Sequence, residues 1–187
     1  MKNCSTDVLI VGAGPTGLFL SNLLASHHIK NILIEKNSST VKEPRAVSID
    51  DESLRVIQSL GLINQFMNKI SLNCGSYYIS PNGRIFATIN PSSKLYGFPK
   101  RNSFDQPDLE DLLLKNLLVK YKLNVFFDTN FLNFYQKKDI ICSRVISKKI
   151  KFQINSKFIV GCDGAYSILR KLLDIKLLGS IYKEKWL

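Results

Sequence analysis

The sequence is poor in the residue types that build most catalytic machinery. Its 187 residues hold two histidines, one tryptophan and two methionines. The histidines, His27 and His28, are adjacent and close an apolar stretch, a place that suits a helix C-terminus better than a catalytic base. Four cysteines (Cys4, Cys74, Cys142 and Cys162) form no CxxC pair and have no histidine cluster beside them. That spacing argues against a zinc site and against a disulfide framework, and leaves thiols in a reducing cytoplasm. Long apolar runs are missing too. The N-terminal one breaks at Gly12 and Gly14, and no later segment approaches the roughly 20 apolar residues that span a bilayer, so neither a signal peptide nor a membrane span is read. Acidic residues are scarce: 15 against 26 basic, a net charge of +11. The basic excess is scattered, as in "QKKDI" and "ISKKIK", and never forms a run of five, so no nucleic-acid partner is expected.

What remains is ordinary globular chemistry. Hydrophobic residues make up 45% and charged residues 22%, enough for one domain with a core, or one domain and part of another. "DVLIV" (7–11) reads as a strand covered on both faces. A helix follows, with Leu18, Leu20, Leu23 and Leu24 at helical spacing, and "NILIEK" (31–36) is a second buried strand. Strand, helix and strand within about 30 residues form a βαβ unit. "NSSTVKEP" is a polar loop, and "DDESLRVIQSLGL" (50–62) a helix that Asp50 or Asp51 caps, with Leu54, Ile57 and Leu60 on one face. "SYYISPNGRIFATI" (76–89) predicts a hairpin around Pro-Asn-Gly. "PDLEDLLLKNLLVKY" (107–121) predicts a helix with Pro107 in its first turn, and "NVFFD" (124–128) a strand. Residues 131–160 hold antiparallel strands ending in a core strand, and "AYSILRKLL" (165–173) is a last helix.

The turn between the first strand and helix is Gly12-x-Gly14-x-x-Gly17, with Pro15 and Thr16 between the last two glycines. In such a turn the first glycine permits the bend, the second lets backbone approach a pyrophosphate, and the third lets helix and strand pack closely. Glu35 closes the second strand, where an acidic residue accepts hydrogen bonds from an adenosine ribose, and Lys36 follows it. NAD and FAD both fit this unit, and a glycine turn without a ligand has the same local form.

A second stretch separates these readings. "VGCDGAYSILRKLL" (160–173) contains the pattern GxDGxxSxxR: Gly161, Asp163, Gly164, Ser167 and Arg170. It resembles the second fingerprint of the flavoprotein aromatic hydroxylases, the single-component FAD monooxygenases. "PRAVSIDDESLRVIQSLGL" (44–62) is similar to the family segment whose arginine contacts the flavin's ribityl or pyrophosphate region, which points to Arg45. "FPKRNSFDQPDLEDLLL" (98–114) is similar to the segment whose glutamine reaches the flavin from a helix start, which points to Gln106. Within the family, "PNGRIFA", "YGFPKRNSF" and "YKEKWL" look most like the hydroxyphenylpropionate hydroxylase branch.

The resemblance implies an α/β fold: a Rossmann-like FAD-binding βαβ domain with an inserted antiparallel β segment, C-terminally truncated. It implies an FAD-binding unit at 1–70 and 104–175, and the start of an incomplete substrate-binding β layer at 71–103 and 176–187, with "EKWL" opening a strand. The implied cofactor is FAD, held by Gly12, Gly14, Pro15, Thr16, Gly17, Glu35, Lys36, Arg45, Gln106, Asp163, Gly164 and Arg170. NAD(P)H is the implied co-substrate, with O2 and a small aromatic substrate, in the cytoplasm. No metal is implied, and no catalytic acid or base is identified. A third family motif, a Gly-Asp turn, normally lies further downstream. The chain is therefore expected to be the N-terminal portion of such an enzyme, served by a complementing C-terminal chain or a homo-oligomer. The competing expectation is a non-catalytic remnant, or a nucleotide-binding module that needs a partner chain.

Overall fold

The computed structural model describes residues 3–43, 45–91, 93–180 and 182–183. The chain starts with β1 (Asn3–Val11), followed by α1 (Pro15–Ser26) and β2 (Asn31–Ile34). This is the βαβ unit read from the sequence, with β1 and β2 parallel. The buried face of α1 differs from the expected leucine stripe. It consists of Gly17, Leu18, Ser21, Asn22 and Ala25, while Leu20, Leu23 and Leu24 are partly buried at its margin. Small and polar residues win this face because a second helix crosses it closely. There Asn22 Nδ2 donates to the Leu113 carbonyl at 3.1 Å, and its Oδ1 accepts from Asn116.

After a loop come β3 (Ser48–Asp50), α2 (Asp51–Ser59) and α3 (Ile63–Met67). Of the two candidate caps, Asp50 is the one used: its Oδ1 accepts from the Ser53 N–H at 2.8 Å. Leu54, Ile57 and Leu60 are buried as expected. The helix stops at Ser59 rather than running to 62, because Gly61 takes a φ of 76°. Its N–H bonds Gln58 O and the Leu62 N–H bonds Ile57 O, which satisfies the last carbonyls.

The expected hairpin is present as β4 (Ser76–Ile79) and β5 (Ile85–Ile89), antiparallel, with Gly83 at φ 82° in its turn. Next come β6 (Arg101–Ser103), α4 (Gln106–Val119), β7 (Val125–Phe126), β8 (Thr129–Lys137), β9 (Ile140–Ser147), β10 (Ile150–Gly161) and α5 (Ile168–Leu172). The expected helix at 165–173 is shorter, because a turn closed by the Ser167 N–H on the Gly164 carbonyl precedes it and Ser167 is the N-cap of α5. Strands β3 and β6 pair with each other, Ser103 of β6 also bridges Ser71, and neither strand has a counterpart among the expected elements. At three residues each they are too short to show an alternating pattern. The expected strand opening at "EKWL" lies outside the described residues.

The main sheet has the order β7-β2-β1-β10-β9-β8. Its β7, β2, β1 and β10 run parallel, and β9 and β8 complete an antiparallel meander. Two cores follow from this. On one face Val8, Ile10 and Leu33 pack against Leu18, Leu54, Ile57, Leu109, Leu113 and Leu117 of the helices. On the other, Leu9, Val11 and Ile34 pack against Phe131, Val145 and Ile154 of the meander and Leu169 of α5. A β1 strand apolar at every position from Val8 to Val11 is what burial on both faces requires. The fold is thus a mixed α/β, Rossmann-like one with a separate antiparallel hairpin.

Candidate functional site

Parallel pairing of β1 with β10 sets Val11 beside Gly161, so the two glycine turns leave the sheet side by side. Their contact is intimate. The Cys162 N–H donates to the Val11 carbonyl at 2.7 Å. Gly12 has a φ of 104°, and a Cβ there would lie 2.6 Å from the Cys162 carbonyl carbon. A Cβ on Gly17 would strike the Gly12 carbonyl oxygen. These two glycines are therefore consumed by the packing of turn, helix and second fingerprint. Gly14 is different. Its φ is an ordinary −73°, and a Cβ there meets nothing within 4 Å. It is the N-cap of α1, yet no side chain caps that helix. Pro15 has no N–H, and the Thr16 and Gly17 N–H groups that follow have no intrahelical partner, as at any helix start.

Glu35 stands just beyond β2, half-buried. Its Oε2 accepts from the Ala13 N–H at 2.9 Å and its Oε1 from the Asn37 N–H at 3.0 Å. Each carboxylate oxygen keeps a lone pair for a further donor. Lys36, Thr16 and Arg45 are exposed, and Pro15 is half-buried.

Gln106 is the first residue of α4, and Asp105 is the N-cap. Gln106 is 5% exposed. Its Oε1 accepts from the Ala46 N–H at 3.0 Å, and its Nε2 donates to Glu110 Oε1 at 2.7 Å, leaving one amide hydrogen free. Gln106 and Ala46 line a cleft of about 200 Å³ with Pro15, Phe19, Ser53 and Phe104. The cleft thus joins α1, the loop before β3 and the start of α4.

In the second turn, Asp163 Oδ2 accepts from the Ile168 N–H at 2.7 Å and so fastens the start of α5. Its Oδ1 is buried without a hydrogen-bond partner among the described residues. Gly164 is exposed at a φ of 74°, which bends the turn. Arg170 folds back, its Nη1 donating to the Ala165 carbonyl at 2.7 Å, so it braces the turn. Burial, then the Asp163 carboxylate, push the Cys162 thiol above its usual range, which disfavours the thiolate.

The structure therefore gathers Gly12, Gly14, Pro15, Gly17 and Glu35 around one turn, with Asp163 packed against it, and sets Gln106 across a cleft from Pro15. One residue that sequence reasoning missed, Glu110, is fully buried. The signal was there: Glu110 falls on the apolar seam of Leu109, Leu113 and Leu117. The uncapped helix start, the open space at Gly14 and the orphaned Asp163 oxygen all fit a dinucleotide and its ribose hydroxyls.

Two glycine turns abutting on a parallel sheet, with an acidic residue after the second strand, define a dinucleotide-binding α/β protein. The chain belongs to the FAD binding domain family, which matches residues 5–187. It is similar to the 3-(3-hydroxy-phenyl)propionate/3-hydroxycinnamic acid hydroxylase of Escherichia coli (strain SMS-3-5 / SECEC), 31% identical over 99% of this chain and 34% of that protein. The chain thus spans about a third of the length of this relative. Its fold is that of p-nitrophenol 4-monooxygenase PnpA from Pseudomonas putida DLL-E4, with a TM-score of 0.83 at 19% identity over 92% of this chain and 44% of that one. It is also that of the flavin-dependent monooxygenase PieE, solved with FAD and substrate, with a TM-score of 0.84 at 22% identity over 94% and 33%.

Proposed function

We propose that this chain is the FAD-binding portion of a flavin-dependent aromatic monooxygenase that uses NAD(P)H and O2 to hydroxylate a small phenolic compound. The observation that carries this reading is the abutment of Gly12 and Gly17 against Cys162 and Asp163, which leaves Gly14 facing open space. The Gly12–Gly17 turn, with Pro15 and Thr16, holds the pyrophosphate. Glu35, with Lys36 beside it, holds the adenosine ribose. Arg45 and Gln106 reach the flavin side, and Asp163 and Gly164, braced by Arg170, close the site. FAD, when bound, supplies the redox chemistry, passing electrons from NAD(P)H to O2 so that one oxygen atom enters the ring and the other leaves as water. This chain's own part is to bind, to orient and to keep water from the flavin edge. We assign residues 1–70 and 104–175 to the cofactor unit, and 71–103 with 176–187 to the start of a substrate layer. The hairpin β4–β5 forms its own two-stranded sheet, which supports that division. A cytoplasmic location fits four free thiols.

A second reading, a nucleotide-binding module completed by a partner chain, is favoured by the hairpin's apolar exposure: Tyr77 and Phe86 are 69% and 67% exposed. The test is the visible absorbance of the purified chain after incubation with FAD and desalting. Retained flavin bands support cofactor binding, and substrate-stimulated NADH oxidation with a phenylpropanoid phenol then separates the enzyme from the module. A folded, colourless protein overturns FAD binding by this chain alone and leaves the module that a partner chain completes.

A further inference from the structure

The described loop before β3 is held at both ends by one buried pair on α4. Glu110 is fully buried; its Oε2 accepts from the Val41 N–H at 3.1 Å, and its Oε1 accepts from Gln106 Nε2 at 2.7 Å. Gln106 Oε1 in turn accepts from the Ala46 N–H at 3.0 Å. The relay therefore runs from Val41 through Glu110 and Gln106 to Ala46. A buried carboxylate costs several kcal/mol in desolvation unless its hydrogen bonds are made, and a neutral apolar residue at 110 would pack the seam of Leu109, Leu113 and Leu117 without that cost. An acid there serves the loop rather than the core. The loop presents Arg45 beside Ala46, which lines the same cleft as Pro15 of the dinucleotide turn.

We propose that Glu110 is a positioning residue for the cofactor: through Val41 and Gln106 it fixes the loop that carries Arg45 and leaves one Gln106 amide hydrogen directed to the ligand. This rests on the FAD reading above. A swapped pair tests it, because the three hydrogen bonds of the relay are retained when the acid and the amide exchange places, while position 106 loses its free amide hydrogen. In Q106E/E110Q the amide now at position 110 accepts from the Val41 N–H through its carbonyl oxygen. Its NH2 donates to the carboxylate now at position 106, which in turn accepts from the Ala46 N–H.

The measurement is FAD affinity, from quenching of flavin fluorescence, together with hydrogen exchange at the Val41 and Ala46 amides. The variants are E110L, E110Q, the swap, and R45A with and without E110L. We expect E110L to weaken FAD binding by about tenfold or more while α4 stays protected and the two loop amides exchange faster. E110Q, which keeps one acceptor, falls between, and the swap restores loop protection while its affinity stays low, because a carboxylate at position 106 has no amide hydrogen to give the ligand. In the R45A background E110L adds little, because both act through the same loop. Should E110L bind FAD as the parent does, or should its loss add in full to that of R45A, the positioning role is overturned while the cofactor reading stands. Failure of the parent chain to bind FAD at all overturns both together.

Discussion

Replacing the glycines of the first turn by alanine, one at a time, separates what the fold needs from what the ligand needs. At Gly17 the new methyl strikes the Gly12 carbonyl oxygen. That oxygen is backbone, and Gly12 is itself pinned by its N–H bond to Ile34 O at 2.8 Å. No rotamer change relieves the clash, so the turn and α1 must part. Overpacking of this kind costs about 1–3 kcal/mol. A methyl driven against backbone belongs at the upper end of that range, so even against the gain of about 1 kcal/mol that alanine brings to a helix, G17A is expected to lose about 2 kcal/mol. For a chain of this size that lowers Tm by roughly 4–8 °C. At Gly14 the methyl meets nothing within 4 Å and the φ of −73° suits any residue. The cost is at most that of a poorer N-cap, under about 1 kcal/mol. The same methyl occupies the space through which a pyrophosphate approaches the helix start. G14A should therefore melt within about 4 °C of the parent and bind FAD at least tenfold more weakly, about 1.4 kcal/mol. Thermal denaturation by circular dichroism and flavin fluorescence titration read the two quantities. G14A with parental FAD affinity, or G17A with parental stability, refutes the division of roles.

Three further outcomes follow from the same geometry. Glu35→Ala strands the buried Ala13 N–H and should cost about 1–3 kcal/mol, read as a lower urea midpoint, with FAD affinity falling as well. Asp50, held below the usual carboxylate range by hydrogen bonds from the Ser53 hydroxyl and N–H, stabilises α2 in full above the ordinary aspartate pKa. That contribution fades as pH falls through the lower folded value; Asp50→Asn should keep the cap and remove this acid-side loss, while Asp50→Ala should lose about 1 kcal/mol at neutral pH, both read from urea midpoints across the acid range. On the hairpin, Tyr77→Lys with Phe86→Lys should leave Tm within about 2 °C yet raise the soluble monomer fraction in light scattering, because both rings are exposed; an unchanged fraction would show that the hairpin does not drive association.

How far the sequence reaches is clearest at the first turn. The βαβ unit, the capped α2, the hairpin and the Gly12-x-Gly14-x-x-Gly17 pattern are local, and each rests on a period or a turn residue that a short window displays. The second fingerprint is legible because its residues lie close along the chain. Strands β3 and β6 are not, since three-residue strands form by pairing with distant segments, here with each other across some 50 intervening residues. Nor does periodicity alone reveal which face of α1 is buried: the leucines look like the core, yet Ser21 and Asn22 hold it because α4 crosses there.

The sequence by itself determined the fold class and the kind of ligand, because glycine spacing and buried-strand patterns are set by backbone sterics within each segment. Only the tertiary structure decided which glycine stays open and which are packed into the fold, and that Glu110, in the middle of an apolar helix seam, ties down the loop bearing Arg45. Those roles depend on residues about 60 to 150 positions apart meeting across a parallel sheet and a helix start, and no local pattern encodes such a meeting.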